Sequence, residues 1–232
     1  MTTCVILAGG LGTRLRPVLA DRPKCLAPVG TTTFLALQMQ ALADRGATRF
    51  VLALGHLAAL VLQEIEPLRA RFGIEAVVEP QALGTGGALL HAMAECGLEE
   101  CLATNGDTWL DAELGALLAP LDLAGGELMR LGVVGVEDAS RYGALRIRAD
   151  GRVAGFVPRG QAGPATINAG LYRLHRRVFE GRAPGQAFSL ETDVLPALSA
   201  AGTLFAQRLI GAFIDIGVPD DYQRFCARPH TR

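Results

Sequence analysis

Short apolar runs, separated by stretches of helical period, set the pattern of this chain. Cys4–Leu7, Phe50–Leu54, Ile74–Glu79 and Cys101–Thr104 are nearly all apolar, as strands buried on both faces are. Between them, Phe34–Arg45 carries Phe34, Leu35, Leu37, Gln38, Ala41 and Leu42 at helical spacing and ends near Gly46. Leu57–Arg71 repeats the period through Leu57, Leu60, Val61, Glu64, Ile65 and Leu68, and a further helix opens at the glycines of 83–88 and runs to about Glu95. Pro17 and Pro23 predict irregular chain over 17–30. Strands alternating with helices predict an α/β fold: a Rossmann-like, mainly parallel sheet with helices on both faces.

From about residue 110 the pattern changes. Asp111–Leu121 reads as a helix, and Leu128–Val136, Ala144–Arg148, Val153–Val157 and Ile167–Leu174 read as strands. A helix within Phe188–Ala201, short strands at Leu204–Leu209 and Phe213–Asp215, and a last helix at Pro219–Cys226 complete the chain. This half is mixed, with antiparallel pairs forming a small sheet of their own. With no linker rich in Pro, Gly or Ser, the expectation is one domain over 1–232, made of halves 1–110 and 111–232.

Composition excludes several classes. The 232 residues carry a net charge of −1, so no basic field points to nucleic acid. The five cysteines lack metal-ligand spacing and suit reduced thiols, and no leader or apolar stretch of membrane-spanning length is seen, so a cytoplasmic location away from membranes is expected. Of 22 basic residues only Lys24 is a lysine; the remaining 21 are arginines. A position that stays lysine in such a chain points to a need for a compact point charge on a slim stem.

The first strand empties into V-I-L-A-G-G-L-G-T-R-L-R at 5–16, where glycines let backbone N–H groups surround phosphate oxygens and Arg14 adds a donor fork. A Walker loop needs G-x-x-x-x-G-K-[ST], which is missing, and the dinucleotide fingerprint fails at its third glycine. A second glycine cluster, L-G-T-G-G-A at 83–88, and N-G-D at 105–107 fall at the ends of later strands, on the sheet rim where ligands bind.

The order and spacing of these motifs, with R-P-K at 22–24, R-Y-G at 141–143, N-A-G-L-Y at 168–172, F-S-L-E-T-D at 188–193 and F-I-D-I-G-V-P-D-D-Y at 213–222, resemble the sugar-phosphate nucleotidyltransferase family over nearly the whole chain. The resemblance implies a GT-A-like fold and attack of a sugar 1-phosphate on the α-phosphorus of a nucleoside triphosphate, with pyrophosphate leaving. Within the family the chain looks most like guanylyltransferases that use GTP and D-glycero-α-D-manno-heptose 1-phosphate to make GDP-heptose for capsule or lipopolysaccharide, with mannose 1-phosphate guanylyltransferases close behind. Rival readings are a uridylyl- or thymidylyltransferase and a non-catalytic nucleotide-sugar sensor. The end of the chain at 232 argues against a fused β-helix acetyltransferase.

Carried onto this sequence, the resemblance makes Arg14, Lys24 and Asp107 catalytic. It puts the nucleotide against Leu7, Ala8, Gly9, Gly10, Gly12, Thr13, Gly84 and Thr85, and a Mg²⁺ between Asp107 and Asp215, which are expected to end strands at one sheet edge. Relatives read the base where Glu79 stands, and a carboxylate there accepts from the adjacent N1–H and N2–H₂ of guanine; Gln81 competes for the role. Asn105, Gly143, Asn168 and Glu191 are assigned to the sugar phosphate. So is Arg159, which follows Pro158 where many relatives carry Glu-Lys. Cys25 is expected to be a small packed residue, Tyr172 core rather than pocket wall, and Arg173–Arg177 a solvated helix start. A homodimer is left open.

Overall fold

The computed structural model describes residues 2–10, 12, 15–19, 22–160 and 162–228; Thr13 and Arg14 lie outside the described residues. β1 (Thr3–Leu7) is followed by one helical turn, α1 (Arg16–Leu19), a 3-10 turn at Lys24–Leu26, and the hairpin of β2 (Pro28–Val29) and β3 (Thr32–Thr33). Then come α2 (Phe34–Asp44), β4 (Arg49–Leu54), α3 (Ala58–Ile65), β5 (Ile74–Val78), α4 (Gly84–Glu95) and β6 (Glu100–Asn105). The second half adds β7 (Thr108–Ala112), β8 (Met129–Val136), β9 (Ala144–Ile147), β10 (Val153–Val157), β11 (Ala165–His175), α5 (Leu195–Ala201), β12 (Leu204–Arg208), β13 (Gly211–Asp215) and α6 (Pro219–Cys226).

The apolar runs behave as expected. β5, β4, β1 and β6 lie side by side in that order and are all parallel. They are buried on both faces: Cys4, Ile6, Phe50 and Leu52 pack with α2 and α3 on one side, and Val5, Val51 and Ala103 with α4 and α5 on the other. The chain leaves β1 for β4 and β5 and returns to β6 on β1's other flank. This reversal opens a crevice at the carboxyl ends of β1 and β6.

Both halves share one sheet. β11 pairs antiparallel with β6 and with β8, β8 pairs with β12, and β9 and β10 join beside β11, giving nine strands. The fold is thus the expected α/β sheet flanked by helices, but most antiparallel strands of the second half extend the main sheet. Two small antiparallel pairs stand apart, β7 with β13 and β2 with β3.

Four expectations are corrected. Residues 111–121 do not form a helix: Asp111 and Ala112 finish β7, paired to Ala212 and Gly211 of β13, and only a 3-10 turn at Gly115–Leu118 follows. Cross-strand pairing overrides the local helical period there. The described residues of 17–30 form α1, a 3-10 turn and a hairpin, because Leu15, Leu19, Ala27 and Val29 bury against Phe34, Ile214, Ile216 and Phe225 in a third core. α3 stops at Ile65, where Pro67 opens a 3-10 turn instead of continuing the helix. Arg173 lies in β11, held 2.5 Å from Glu100, and the helical turn begins only at Arg176.

α4 begins beneath residues 186–190. The Phe188 carbonyl accepts from Gly86 N (3.1 Å) and Gly87 N (3.2 Å), while Phe188 N donates to the Leu83 carbonyl (2.9 Å). A Cβ on Gly86 would lie 2.4 Å from the Phe188 ring, and one on Gly87 2.3 Å from the Gln186 carbonyl oxygen. The second glycine cluster is therefore a seat for the crossing segment, and a protein carbonyl takes the N–H groups that open the helix. Gly86→Ala forces an overpacked contact worth about 1–3 kcal/mol. The expected result is a Tm lower by roughly 3–9 °C for a chain of this size, read by circular dichroism; an unchanged Tm means that Phe188 is not seated on Gly86.

Candidate functional site

A cavity of about 350 Å³ opens at the crevice between β1 and β6. Leu7, Ala8, Gly9, Gly10 and Gly12 line it from β1 and the first glycine loop, and Asn105, Gly106 and Asp107 from the end of β6. Lys24 and Cys25 line it too. The 3-10 turn that carries the lysine is anchored by burial of Cys25 and Leu26. Gly12 has a φ of +60°, and a Cβ there would lie 3.0 Å from Lys24 Cγ, so the bare backbone lets the lysine stem lie against the loop. Lys24 Nζ donates to Asp107 Oδ2 at 3.2 Å. Among the described residues that line the cavity, Lys24 is the one cation.

Asp107 sits in the turn between β6 and β7, and its carbonyl accepts from Ile216 N at 2.9 Å. Asp215 is paired in register with Thr108, so two carboxylates 108 positions apart in sequence are held on neighbouring backbones. The expectation that both end strands of one sheet edge is corrected: Asp215 ends β13, in the separate two-stranded sheet. Its Oδ1 accepts from Gly217 N at 2.7 Å, and it does not line the cavity. No group of three or more metal-ligating side chains occurs among the described residues. A pair of carboxylates, completed by water and phosphate oxygens, is the donor set Mg²⁺ favours, and Asp107 and Asp215 fit it.

Glu79 follows β5 and is held there by its N–H on the Leu54 carbonyl (2.8 Å). Its Oε2 accepts from Leu83 N at 3.0 Å. Its Oε1 lies over bare backbone: a Cβ on Gly55 would be 2.1 Å away and one on Gly9 2.9 Å away. Burial pushes its pKa above the ordinary glutamate value, against the opposing pull of the Leu83 N–H. Gln81, its competitor, does not line the cavity.

Gly84, Thr85 and Glu191 line the cavity from the far side. Thr85 Oγ1 donates to Glu191 Oε2 (2.6 Å) and accepts from Leu190 N (2.9 Å), and Ser189 Oγ donates to the same carboxylate oxygen (3.0 Å). These bonds tie the first half to the second.

Other expected residues are not brought to this cavity. Asn168 holds a bulge in β11, accepting from Gly170 N (2.7 Å) and donating to the Tyr172 hydroxyl (2.9 Å). Tyr172 is fully buried core, as expected. Gly143 stands just before β9 and Arg159 is exposed after β10; neither lines the cavity. Cys25 is packed, as expected, with its thiol pushed up to about 12 by burial. Ala53, Ala82 and Ala88 complete the walls and were not singled out from sequence. Their signal is only small size, which gains meaning once β4 and α4 are known to border the crevice.

A carboxyl whose folded pKa is raised binds its proton more tightly folded than unfolded, so it contributes stability at low pH that is lost as pH rises through the ordinary glutamate range toward the raised value. Glu79→Gln removes that loss. The Tm of Glu79→Gln relative to the unsubstituted chain is expected to rise between pH 4 and pH 7; a difference that stays flat across this range contradicts the burial of the carboxylate.

The chain resembles known proteins along nearly its whole length. Residues 3–229 match the family described as Nucleotidyl transferase. It is 30% identical to a D-glycero-alpha-D-manno-heptose 1-phosphate guanylyltransferase of Aneurinibacillus thermoaerophilus over 220 residues, 95% of either chain. It is 31% identical to a mannose-1-phosphate guanylyltransferase catalytic subunit beta of Drosophila pseudoobscura pseudoobscura, over 95% of this chain but 60% of that one. Crystal structures of HddC from Yersinia pseudotuberculosis, 32% identical, superpose with TM-scores of 0.85 and, for the complex with GMP-PN, 0.84, covering 97% of this chain and 98% of theirs. No described helix is long and apolar enough to cross a membrane. With the fold, the rim cavity and these likenesses in agreement, the chain belongs to the nucleotidyl transferase family.

Proposed function

We propose that the chain transfers GMP from GTP to a sugar 1-phosphate, releasing pyrophosphate, with D-glycero-α-D-manno-heptose 1-phosphate as acceptor and GDP-heptose as product. The observation that carries this is the Lys24–Asp107 pair inside a rim cavity that Glu79 also lines. A phosphate monoester has its second pKa near about 6, so the attacking oxygen needs no general base at neutral pH. The difficulty is bringing two polyanions together, and the residues act by neutralising charge and aligning the attack. Lys24 serves the α-phosphate; Arg14 with the backbone of Gly10–Thr13 serves the leaving pyrophosphate. Asp107 and Asp215 would hold a Mg²⁺, which when bound supplies charge neutralisation between the two phosphates.

Glu79 reads guanine. One of its oxygens is tied to Leu83 N, yet an ionised carboxylate keeps acceptor capacity for the base N1–H and N2–H₂. Gly84 and Thr85 border base or ribose, and Asn105 and Glu191 face the sugar. Gly143, Asn168 and Arg159, which do not line that cavity, remain assigned to the acceptor. In this division, 1–110 handles the nucleotide and 111–232 the acceptor, as one domain in the cytoplasm, serving capsule or lipopolysaccharide synthesis. The heptose acceptor is favoured over mannose because the heptose relative is matched over 95% of its length and the mannose relative over 60%.

A matrix of GTP, UTP and dTTP against heptose, mannose and glucose 1-phosphates, read by pyrophosphate release, tests the assignment. Turnover is expected with GTP and manno-configured acceptors. Preference for UTP or dTTP replaces the base reading, and no turnover with any pair favours a sensing subunit. Lys24→Ala is expected to cut kcat about a hundredfold or more, as loss of a transition-state charge donor does; near-normal kcat removes Lys24 from the chemistry.

A further inference from the structure

The core-facing stripe of α2 contains one polar side chain. Phe34, Leu35, Met39 and Leu42 bury beside Gln38, which is 4% exposed. Gln38 Nε2 donates to two carbonyls, Asn105 O at 2.9 Å and Thr108 O at 2.7 Å. These are the first and last residues of the turn that carries Asp107. The interior of the turn is fixed separately, by Gly106 N on the Leu7 carbonyl (2.9 Å) and Ile216 N on the Asp107 carbonyl (2.9 Å). The orientation of the amide is forced: reversed, its oxygen would face both carbonyl oxygens. Gln38 is therefore a brace across the mouth of the turn, and it does not line the cavity.

We infer that Gln38 is a positioning residue for the reaction: by clamping Asn105 and Thr108 it fixes where the Asp107 carboxylate stands relative to Lys24 and Asp215. The inference rests on the reading of Asp107 and Asp215 as the metal-holding pair. A buried glutamine in place of an apolar residue costs desolvation: its amide N–H groups are spent on one functional turn, while its Oε1 is buried without a partner, so the residue is not there for stability. Loss of the brace widens the range of positions open to the carboxylate without altering the cavity-lining backbone of residues 7–10.

The test compares Gln38→Met, which keeps the volume and removes the donors, with Phe72→Leu, which loosens the same core layer where Phe72 meets Phe50 of β4, without touching the 105–108 turn. Mn²⁺ binding, followed by electron paramagnetic resonance with a non-hydrolysable GTP analogue present, is the readout besides turnover. Relative to Phe72→Leu at matched Tm, Gln38→Met is expected to weaken Mn²⁺ binding and lower kcat by about tenfold or more each, with KM for GTP within about twofold. If Gln38→Met does not fold, Gln38→Asn, one methylene too short to reach both carbonyls, is read in the same way. Mn²⁺ affinity and kcat equal to those of Phe72→Leu overturn the role of Gln38. An unsubstituted chain that binds no Mn²⁺ overturns the metal-pair reading itself and the positioning role with it.

Discussion

A four-residue turn, 105–108, is the constraint on which the site depends. Its backbone is bonded to β1, to α2 and to the residue after β13, three elements far apart in sequence. The Asp107 carboxylate that it carries is paired with the one lysine of the chain. An ion pair between partly buried partners, here 16% and 28% exposed, adds little net stability because desolvation offsets the attraction. Its value lies in holding a positive and a negative group at fixed places before any ligand arrives, so that less ordering is left for the reaction.

The third core explains why Lys24 can be placed by so short a turn. Leu15, Leu19, Ala27 and Val29 pack with Phe34, Ile214 and Phe225, so the segment after the first glycine loop is built onto the same cluster as the strand that ends in Asp215. The Tyr222 hydroxyl on the Pro28 carbonyl fastens α6 to the same hairpin. Lysine and distal aspartate therefore share a foundation, although the sheet that supports the cavity contains neither.

Much of this was legible in the residues. Continuous apolar runs gave the parallel strands because burial on both faces leaves no polar position to encode, and glycines at 9, 10 and 12 marked the rim. What failed was local inference where distant pairing decides. Asp111–Leu121 has a helical period, but β13 captures its first residues, and no signal near 111 reports a strand 100 positions away. Of the glycines at 83–88, Gly84 lines the cavity, whereas Gly86 and Gly87, to which sequence assigned no contact, are bare because Phe188 and Gln186 cross above them. Gln38 was visible as a polar residue on an apolar stripe, yet its meaning needed the coordinates of two carbonyls some 70 residues downstream.

The thiols draw one last contrast. Cys4, Cys25 and Cys101 are sealed in the interior with protonation favoured by burial, and so present almost no thiolate to an electrophile. Cys226 alone is exposed, on α6, with its sulfur 3.8 Å from the Pro28 carbonyl oxygen. Cys96 is half-buried, so Cys226 is the most outward thiol, and it stands on α6 beside the hairpin that adjoins the lysine turn. A fluorophore coupled there would sit outside the cavity yet sense whether that hairpin shifts when nucleotide enters.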